Sequence, residues 1–152
     1  MADNIERHPV NRWNLSSYRG RERHFYKVKF SHSFRVAAED IDAQGHVNNV
    51  AYVKWIQDVA VAHWFSATTE EMREKYTWVV LRHEIDYKKQ AFENQEVTAT
   101  TWVGEPTRIS WERLTEIQRG EDLLVKARSV WCLIDKVSMR PAKISSEMKE
   151  LF

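Results

Sequence analysis

One segment of the sequence is apolar around almost its whole circumference when it is wound into a helix. Residues 47–65 read VNNVAYVKWIQDVAVAHWF, and the polar side chains in the middle of the run, Lys54, Gln57 and Asp58, are three and four positions apart. Side chains at that spacing share one narrow stripe of a helix. The run also lacks the roughly 18 uninterrupted apolar residues of a membrane span. The pattern therefore predicts a long helix that is wrapped by a sheet.

Most of the remaining sequence predicts strands and turns. Residues 24–36 alternate aromatic or β-branched residues with polar ones, as a half-buried first strand requires. Four later segments are separated only by short turns, so they are predicted to form one consecutive antiparallel meander. These predicted strands are 78–87, 96–103, 108–118 and 123–135, with breaks at 92–95, 104–106 and 120–122.

Two short helices and an arm complete the predicted organisation. A helix over Thr69–Tyr76 has acidic residues in its first turn, and a helix over Ser145–Phe152 has Ser145 or Ser146 as its cap. Residues 1–23 are polar and have no period, so they are predicted to be an N-terminal arm before one domain over 24–152. The element order predicts an α+β fold in which a curved antiparallel sheet surrounds one long helix.

Length and charge exclude several classes of function. A chain of 152 residues is long enough for one core, and 23 Lys and Arg against 22 Asp and Glu leave a net charge of +1. A net charge this close to zero does not favour nucleic acid or an anionic membrane as a partner. The single cysteine, Cys132, has no internal disulfide partner and no signal peptide is evident, so a cytosolic protein is expected.

The densest group of reactive side chains lies where the long helix begins. Residues 40–49 read DIDAQGHVNN, which places carboxylates and an imidazole a few residues before the first helical turn. Amide N–H groups at a helix start have no internal partner and can hold a carbonyl oxygen as it becomes an oxyanion. A nearby carboxylate or imidazole can then act as base or nucleophile. The combination indicates acyl-transfer chemistry.

These residues carry a resemblance to a known family. The pattern Asp42-x-x-Gly45-His46-Val47-Asn48-Asn49-x-x-Tyr52 resembles the hotdog-fold acyl-CoA thioesterases of the 4-hydroxybenzoyl-CoA thioesterase group. Its Asp-x-x-x-His-Val-Asn-Asn form is also similar to that of plant acyl-carrier-protein thioesterases. The resemblance extends over about residues 24 to 150, where the strand Arg82–Tyr87 supports it. It implies that the protein has a hotdog fold and that it hydrolyses acyl thioesters without a metal or a cofactor.

The resemblance also implies roles for individual residues. Asp42 takes the position of the catalytic carboxylate, which attacks the thioester carbon or activates a water. The backbone N–H of Asn49 takes the position of the oxyanion donor, and His46 matches a histidine of the plant-type enzymes. The residues expected to bind substrate are Gln44, Tyr52, Asp58, Arg108 and Ser110.

Each of these residues also has a purely structural interpretation. Asp42 is compatible with a loop or cap residue, and His46 with a helix-entry residue that donates to a backbone carbonyl. Tyr52 is more often a core aromatic residue than a catalytic acid, and Asp58 has Lys54 four positions away as an ordinary helical ion pair. Metal binding is not expected, because the sequence contains no HExxH or CxxC spacing.

Three functions remain open at this stage. The first is hydrolysis of an acyl-CoA or acyl-carrier-protein thioester, and the second is hydration or dehydration of an enoyl thioester by His46 with Asp58. The third is a non-catalytic acyl-thioester-binding protein, since a fold does not fix a function. One helix cannot cover both a sheet face and the sheet edges, so a homodimer or a dimer of dimers is expected. Four cations are candidate contacts for CoA phosphates, although scattered surface cations are usually only solvated: Lys88, Lys89, Arg108 and Arg128.

Overall fold

The computed structural model describes residues 28–152 of the chain. The predicted arm, 1–23, and the start of the predicted first strand lie outside these described residues. The described part contains strands and helices in the order β1 (Phe30–Arg35), α1 (Asn49–Ala67), α2 (Glu70–Lys75), β2 (Tyr76–Tyr87), β3 (Glu96–Pro106), β4 (Ser110–Arg119), β5 (Asp122–Asp135), β6 (Arg140–Pro141) and α3 (Ser146–Glu150), with a 3₁₀ turn at Ala38–Asp40.

The long helix α1 begins two residues later than predicted. Val47 is held outside the helix, because it forms a bridge with Ile41 and donates its N–H to the carbonyl oxygen of Ala91 at 2.9 Å. Asn48 then caps the helix, with its side chain accepting from the N–H of Val50 at 2.9 Å. At the other end, the N–H of Thr68 still donates to Trp64. The predicted helix is confirmed, with its start moved by the tertiary contact to Ala91.

The sheet order is β1-β3-β4-β5-β2, so the predicted four-strand meander is wrong for its first strand. Of the four strands in the predicted meander, only β3, β4 and β5 are both consecutive in the chain and adjacent in the sheet. β2 pairs antiparallel with β5, and the connection over 88–95 then carries the chain to β3, beside β1. β1 and β2 consequently form the two edges of the main sheet, and the short β6 pairs with β5.

The predicted break at 104–106 is also wrong, because β3 continues to Pro106. The pairing with β4 shifts register between Val103 and Pro106, and the indole N–H of Trp111 donates to the carbonyl oxygen of Gly104 at 3.0 Å. A Cβ on Gly104 would lie 2.8 Å from the Glu112 carboxylate, so glycine is required there by close packing. The turn falls at 107–109 instead, and β4 starts at Ser110.

The core lies between α1 and the concave face of the curled sheet, in two clusters. The first surrounds the N-terminal half of α1, and the second joins the C-terminal half to α3 and the chain end. Each short helix begins at a side-chain cap. Thr69 accepts from Met72 N–H at 3.3 Å, and Ser145, one of the two predicted caps, accepts from Met148 N–H at 3.1 Å. The caps seat α3 so that Met148 packs in the second cluster.

The helix is not wrapped on every side by the described chain. Val50, Val61 and Phe65 are 72%, 47% and 59% exposed, and they share the outer stripe of α1 with Lys54 and Asp58. The sequence pattern predicted a helix that is apolar around almost its whole circumference and is wrapped by the sheet. The structure shows that the sheet covers the inner face and leaves an apolar stripe uncovered among residues 28–152.

Candidate active site at the start of the central helix

Asp42 lies in a tight turn that positions its carboxylate. The N–H of Asp42 donates to His46 O at 3.1 Å and the N–H of Gly45 donates back to Asp42 O at 3.0 Å. Gly45 has a φ of +84°, a left-handed conformation that favours glycine. The N–H of Gln44 donates to Asp42 Oδ1 at 2.8 Å. The turn therefore fixes one carboxylate oxygen and leaves Oδ2 without a hydrogen bond inside the described chain.

The turn is anchored on both sides by backbone hydrogen bonds. Ile41 and Val47 form an antiparallel bridge, and the N–H of Asn48 donates to Asp40 O at 2.8 Å. The Asp40 carboxylate accepts from the N–H of Ala37 at 3.2 Å, which closes the 3₁₀ turn before the site. These contacts hold Asp42 beside the helix entry because the whole loop is one hydrogen-bonded unit.

The first turn of α1 offers an unused amide donor. Asn48 satisfies two of the early N–H groups, since its side chain accepts from Val50 and its carbonyl oxygen accepts from Ala51 at 2.9 Å. The N–H of Asn49, the first residue of the helix, has no acceptor within residues 28–152. It lies at the positive end of a 19-residue helix. This is the donor that an oxyanion at the helix start would meet.

A pocket of about 250 Å³ opens at the same place. Its lining includes His46 and Asn49 from the helix entry and Tyr87 from the end of β2. His46 Nδ1 lies 3.3 Å from Val47 O, a distance at which the ring donates weakly to the backbone. The other lining residues are Val47, Tyr52, Lys88, Lys89 and Gln90.

Tyr52 reaches this pocket, but its hydroxyl is already engaged. The side chain is 2% exposed, and its oxygen accepts from the N–H of Ala91 at 3.2 Å. Burial raises the pKa of Tyr52 above its usual value, so the phenol stays protonated at neutral pH. The structure thus places Tyr52 as a support that ties α1 to the connection over 88–95.

Three of the predicted substrate-binding residues lie elsewhere in the chain. Asp58 is on the exposed stripe of α1 and pairs with Lys54. Ser110 shares a hydrogen bond of 2.7 Å with Thr107, and Arg108 accepts from Ile144 N–H through its carbonyl oxygen. Ser110 is the first residue of β4 and Arg108 precedes the strand, at the end that Trp111 joins to the second core cluster. Within one chain the structure does not bring these three residues to Asp42.

The sequence reasoning missed part of the pocket wall. Tyr87 donates to Asn49 O at 3.4 Å, and Gln90 lines the pocket beside Lys88 and Lys89. Lys89 is ion-paired with Asp122, whereas Lys88 has no ion pair in the described part of the chain. The available signal was the polar run Lys88-Lys89-Gln90 directly after a strand. Only pairing of β2 with β5 places that run near the helix start.

Residues 28–152 contain no group of three or more His, Cys, Asp or Glu side chains placed to hold a metal ion. No helix in the same range has both the length and the apolarity needed to cross a bilayer.

The architecture and the helix-entry loop define the hotdog class of α+β folds. Two solved structures support this assignment. A predicted thioesterase from Bacillus stearothermophilus is 24% identical, with a TM-score of 0.73 over 80% of this chain and 92% of that chain. A 4-hydroxybenzoyl CoA thioesterase mutant complexed with 4-hydroxybenzoyl CoA is 15% identical, with a TM-score of 0.73 over 81% of this chain and 97% of that chain.

The chain belongs to the Thioesterase-like superfamily, whose family model matches residues 36–152. It is also similar to a chloroplastic palmitoyl-acyl carrier protein thioesterase from Gossypium hirsutum, with 24% identity over 131 residues and 79% of this chain. The match spans only 32% of that relative, so the chain covers about a third of the plant protein's length. The resemblance stated from the sequence is thereby confirmed.

Proposed function

We propose that this protein hydrolyses acyl thioesters of CoA or acyl carrier protein to a free acid and a thiol. The observation that carries the proposal is that one anchored loop holds the Asp42 carboxylate just before the start of α1, where the N–H of Asn49 has no acceptor within residues 28–152. Membership of the Thioesterase-like superfamily supports the reaction class. A thioester is already activated, so a base or nucleophile and one oxyanion donor account for the chemistry.

Two routes use the same residues. In the first, Asp42 takes a proton from water as the water oxygen bonds to the thioester carbon. In the second, Asp42 itself bonds to that carbon, and water then hydrolyses the resulting anhydride. In both, the carbonyl oxygen becomes an oxyanion beside Asn49 N–H, the C–S bond breaks, and the thiolate leaves and takes up a proton. His46 orients the substrate or the water from the pocket wall.

The thiol portion is proposed to lie along the outer side of the pocket. CoA carries phosphates, and Lys88 is a lining cation that is free of ion pairs within residues 28–152. Gln44 is exposed in the turn that holds Asp42, where its side chain can meet substrate. Asp58, Arg108 and Ser110 lie too far along the fold to serve this pocket in the same chain, so any role there requires a second protomer.

A homodimer is supported by two uncovered surfaces. β2 is an edge strand of 12 residues, and its pairing with β5 slips between Val80 and Arg82, which leaves Leu81 63% exposed. The outer stripe of α1 adds exposed Val61 and Phe65. A long apolar edge strand recruits another strand unless it is covered. We infer that a second copy of the chain covers both surfaces, with a dimer of dimers as the larger alternative.

The reaction is tested with a panel of saturated, enoyl and aromatic acyl-CoA thioesters. Hydrolysis releases free thiol, which a chromogenic disulfide reagent detects. Loss of enoyl absorbance without thiol would establish hydration in its place. Saturable binding with neither change would establish a non-catalytic binding protein. The proposal expects thiol release from at least one member of the panel, and either other result contradicts it.

Shared sites are tested by subunit mixing. The Asp42→Asn and Asp58→Ala variants each remove one carboxylate of the proposed shared site, and two variants that are inactive alone are unfolded and refolded together. If Asp58 serves the partner's site, each mixed dimer regains about half of its active sites. Mixed dimers confirmed by native mass measurement but lacking recovered activity would refute the shared site.

A further inference from the structure

A second cavity, of about 300 Å³, lies at the opposite end of α1 from Asp42. It opens between the C-terminal half of α1, the start of β2 and the concave face of β4 and β5. Val61 and Phe65 of the outer stripe of α1 form one edge of it, so a second copy that covers this stripe would border the cavity on that side. Four of the chain's seven tryptophans, Trp64, Trp78, Trp111 and Trp131, contribute to its wall together with Phe152. It shares no lining residue with the pocket at the helix start. The two cavities are therefore separate within one chain.

The aromatic walls are held in place by one another. Trp78 packs edge-on against Trp64 with ring centroids 5.9 Å apart, and Trp111 packs edge-on against Phe152 at 5.6 Å. Trp78 also lies 6.4 Å from Trp111, which links the two pairs. Rigid aromatic walls favour a flat ring as the ligand, because offset and edge-to-face contacts add to the burial of apolar area.

Arg113 places a positive charge in this wall without a counter-ion. Its Nη1 donates to His63 Nδ1 at 3.0 Å and to Thr101 Oγ1 at 3.2 Å, and both acceptors are neutral. No carboxylate pairs with Arg113 in the described part of the chain. Burial lowers the pKa of Arg113 to about 10, so the guanidinium remains charged at neutral pH. Arg113 is half-buried, and its Cζ lies 5.9 Å from the centroid of the Phe152 ring. A charge that is partly removed from water is costly unless an anion accompanies it.

The other charged groups of the wall leave that charge uncompensated. Glu112 is ion-paired with Arg128, which lies outside the lining. Arg73 and Lys136 are cations, and each donates to a backbone carbonyl group, those of Thr68 and Arg73 respectively. The wall therefore has an excess of positive charge. A further donor, the indole N–H of Trp131, is buried and has no hydrogen-bond partner among residues 28–152.

We propose that this cavity binds an aromatic monocarboxylate, with the ring between the tryptophans and the carboxylate on Arg113. The Nε and Nη2 groups of Arg113 have no acceptor among residues 28–152, and a guanidinium edge matches a carboxylate with two parallel hydrogen bonds. Arg73 and Lys136 already donate to backbone carbonyl groups, so Arg113 is the cation that offers a free edge, and one such edge suits one carboxylate. The volume is at the small end of ligand pockets, as one or two fused rings require.

The proposal is tested on the full-length protein with benzoate and 2-naphthoate as probes. Tryptophan fluorescence reports binding directly, and calorimetry gives the dissociation constant. The matched neutral probes are benzamide and 2-naphthamide, which keep the ring and lose the charge. We expect saturable binding of the acids that is about tenfold or more tighter than binding of the amides, because the bond to Arg113 is charge-assisted.

Substitutions then assign the binding to this cavity. Arg113→Met should weaken binding of 2-naphthoate by about tenfold or more and leave binding of 2-naphthamide nearly unchanged. Trp78→Leu, which leaves the buried charge in place, should weaken both probes and serves if Arg113→Met does not fold. Asp42→Asn should bind both probes as the wild type does, because Asp42 does not line this cavity.

Three results would overturn the proposal. In the first, neither acid shows saturable binding. In the second, the acids and the amides bind with equal affinity. In the third, octanoate binds at least as tightly as 2-naphthoate. The last result would establish an aliphatic ligand instead.

Discussion

A shift from pH 7.5 to pH 5 should destabilise the fold through one buried histidine. His63 is 2% exposed, and burial, followed by the charge of Arg113, lowers its pKa to about 3. In the unfolded chain the imidazole has a pKa near 6.5. Between these two values the unfolded state binds a proton that the folded state does not bind. The contribution of His63 to the free energy of unfolding is therefore fully present above about pH 6.5, and it is lost as the pH decreases toward 3.

The magnitude follows from the two pKa values. At pH 5 the unfolded imidazole is about 1.5 pH units below its pKa, and each unit is worth about 1.36 kcal/mol. His63 alone should then lower the free energy of unfolding by about 2 kcal/mol relative to pH 7.5. His83, whose pKa is also lowered by burial, acts in the same direction, so a variant is needed to isolate His63.

Urea unfolding at pH 7.5 and pH 5 measures the effect, with His63→Asn as the matched variant. Asparagine keeps a neutral acceptor for Arg113 but has no group that titrates in this range. The variant is expected to lose stability overall, since stacking of His63 on Phe30 is removed. Its loss between the two pH values should nevertheless be about 2 kcal/mol smaller than that of the wild type. Equal losses, or a His63 proton resonance that titrates near pH 6.5, would refute the reasoning.

Three further substitutions test the site and the assembly. His46→Ala should reduce kcat for thiol release by about tenfold or more with an unchanged melting temperature, and an unchanged kcat would assign His46 a structural role. Tyr52→Phe should leave kcat close to wild type and lower the free energy of unfolding by about 1–2 kcal/mol, because Ala91 N–H loses its acceptor. A large loss of kcat would show that the Tyr52 hydroxyl takes part in the reaction. Leu81→Lys should shift sedimentation toward the monomer, and an unaltered dimer would place the interface elsewhere.

Local patterns in the sequence predicted the elements that local physics controls. Lys54 and Asp58 lie together on the exposed side of α1, where their spacing predicted them. The predicted cap Ser145 is confirmed, because a side-chain oxygen three residues before an amide satisfies that amide whatever the rest of the fold does. The turn before α1 is local in the same way, since the N–H of Gly45 donates to the carbonyl oxygen of Asp42.

Long-range pairing decided what the sequence could not predict. Nothing in the segment Tyr76–Tyr87 itself indicates that it pairs with β5 rather than with β3. The continuation of β3 through Gly104 depends on the indole of Trp111, a contact that forms only after β4 has paired. The walls of the helix-start pocket at Tyr87 and Gln90 follow from the same topology.

Arg113 was missed although the sequence carries a signal for it. It alternates with Trp111 and Thr115 on β4, and both of those residues are buried. Strict alternation therefore points the Arg113 side chain toward the core. A charged residue in that register contradicts the usual pattern of a strand face, and such local conflicts are expected at functional positions.

The central claim is that the Asp42 carboxylate performs the chemistry at the helix start. The most direct measurement is kcat/KM for thiol release by Asp42→Asn, using the acyl-CoA that the wild type hydrolyses fastest. Glu39→Gln, an exposed acid in the same loop, is the matched control and should keep the wild-type value. We predict that Asp42→Asn retains its fold and oligomeric state and loses activity by about 10²-fold or more. A folded Asp42→Asn protein with nearly wild-type kcat/KM would contradict the account.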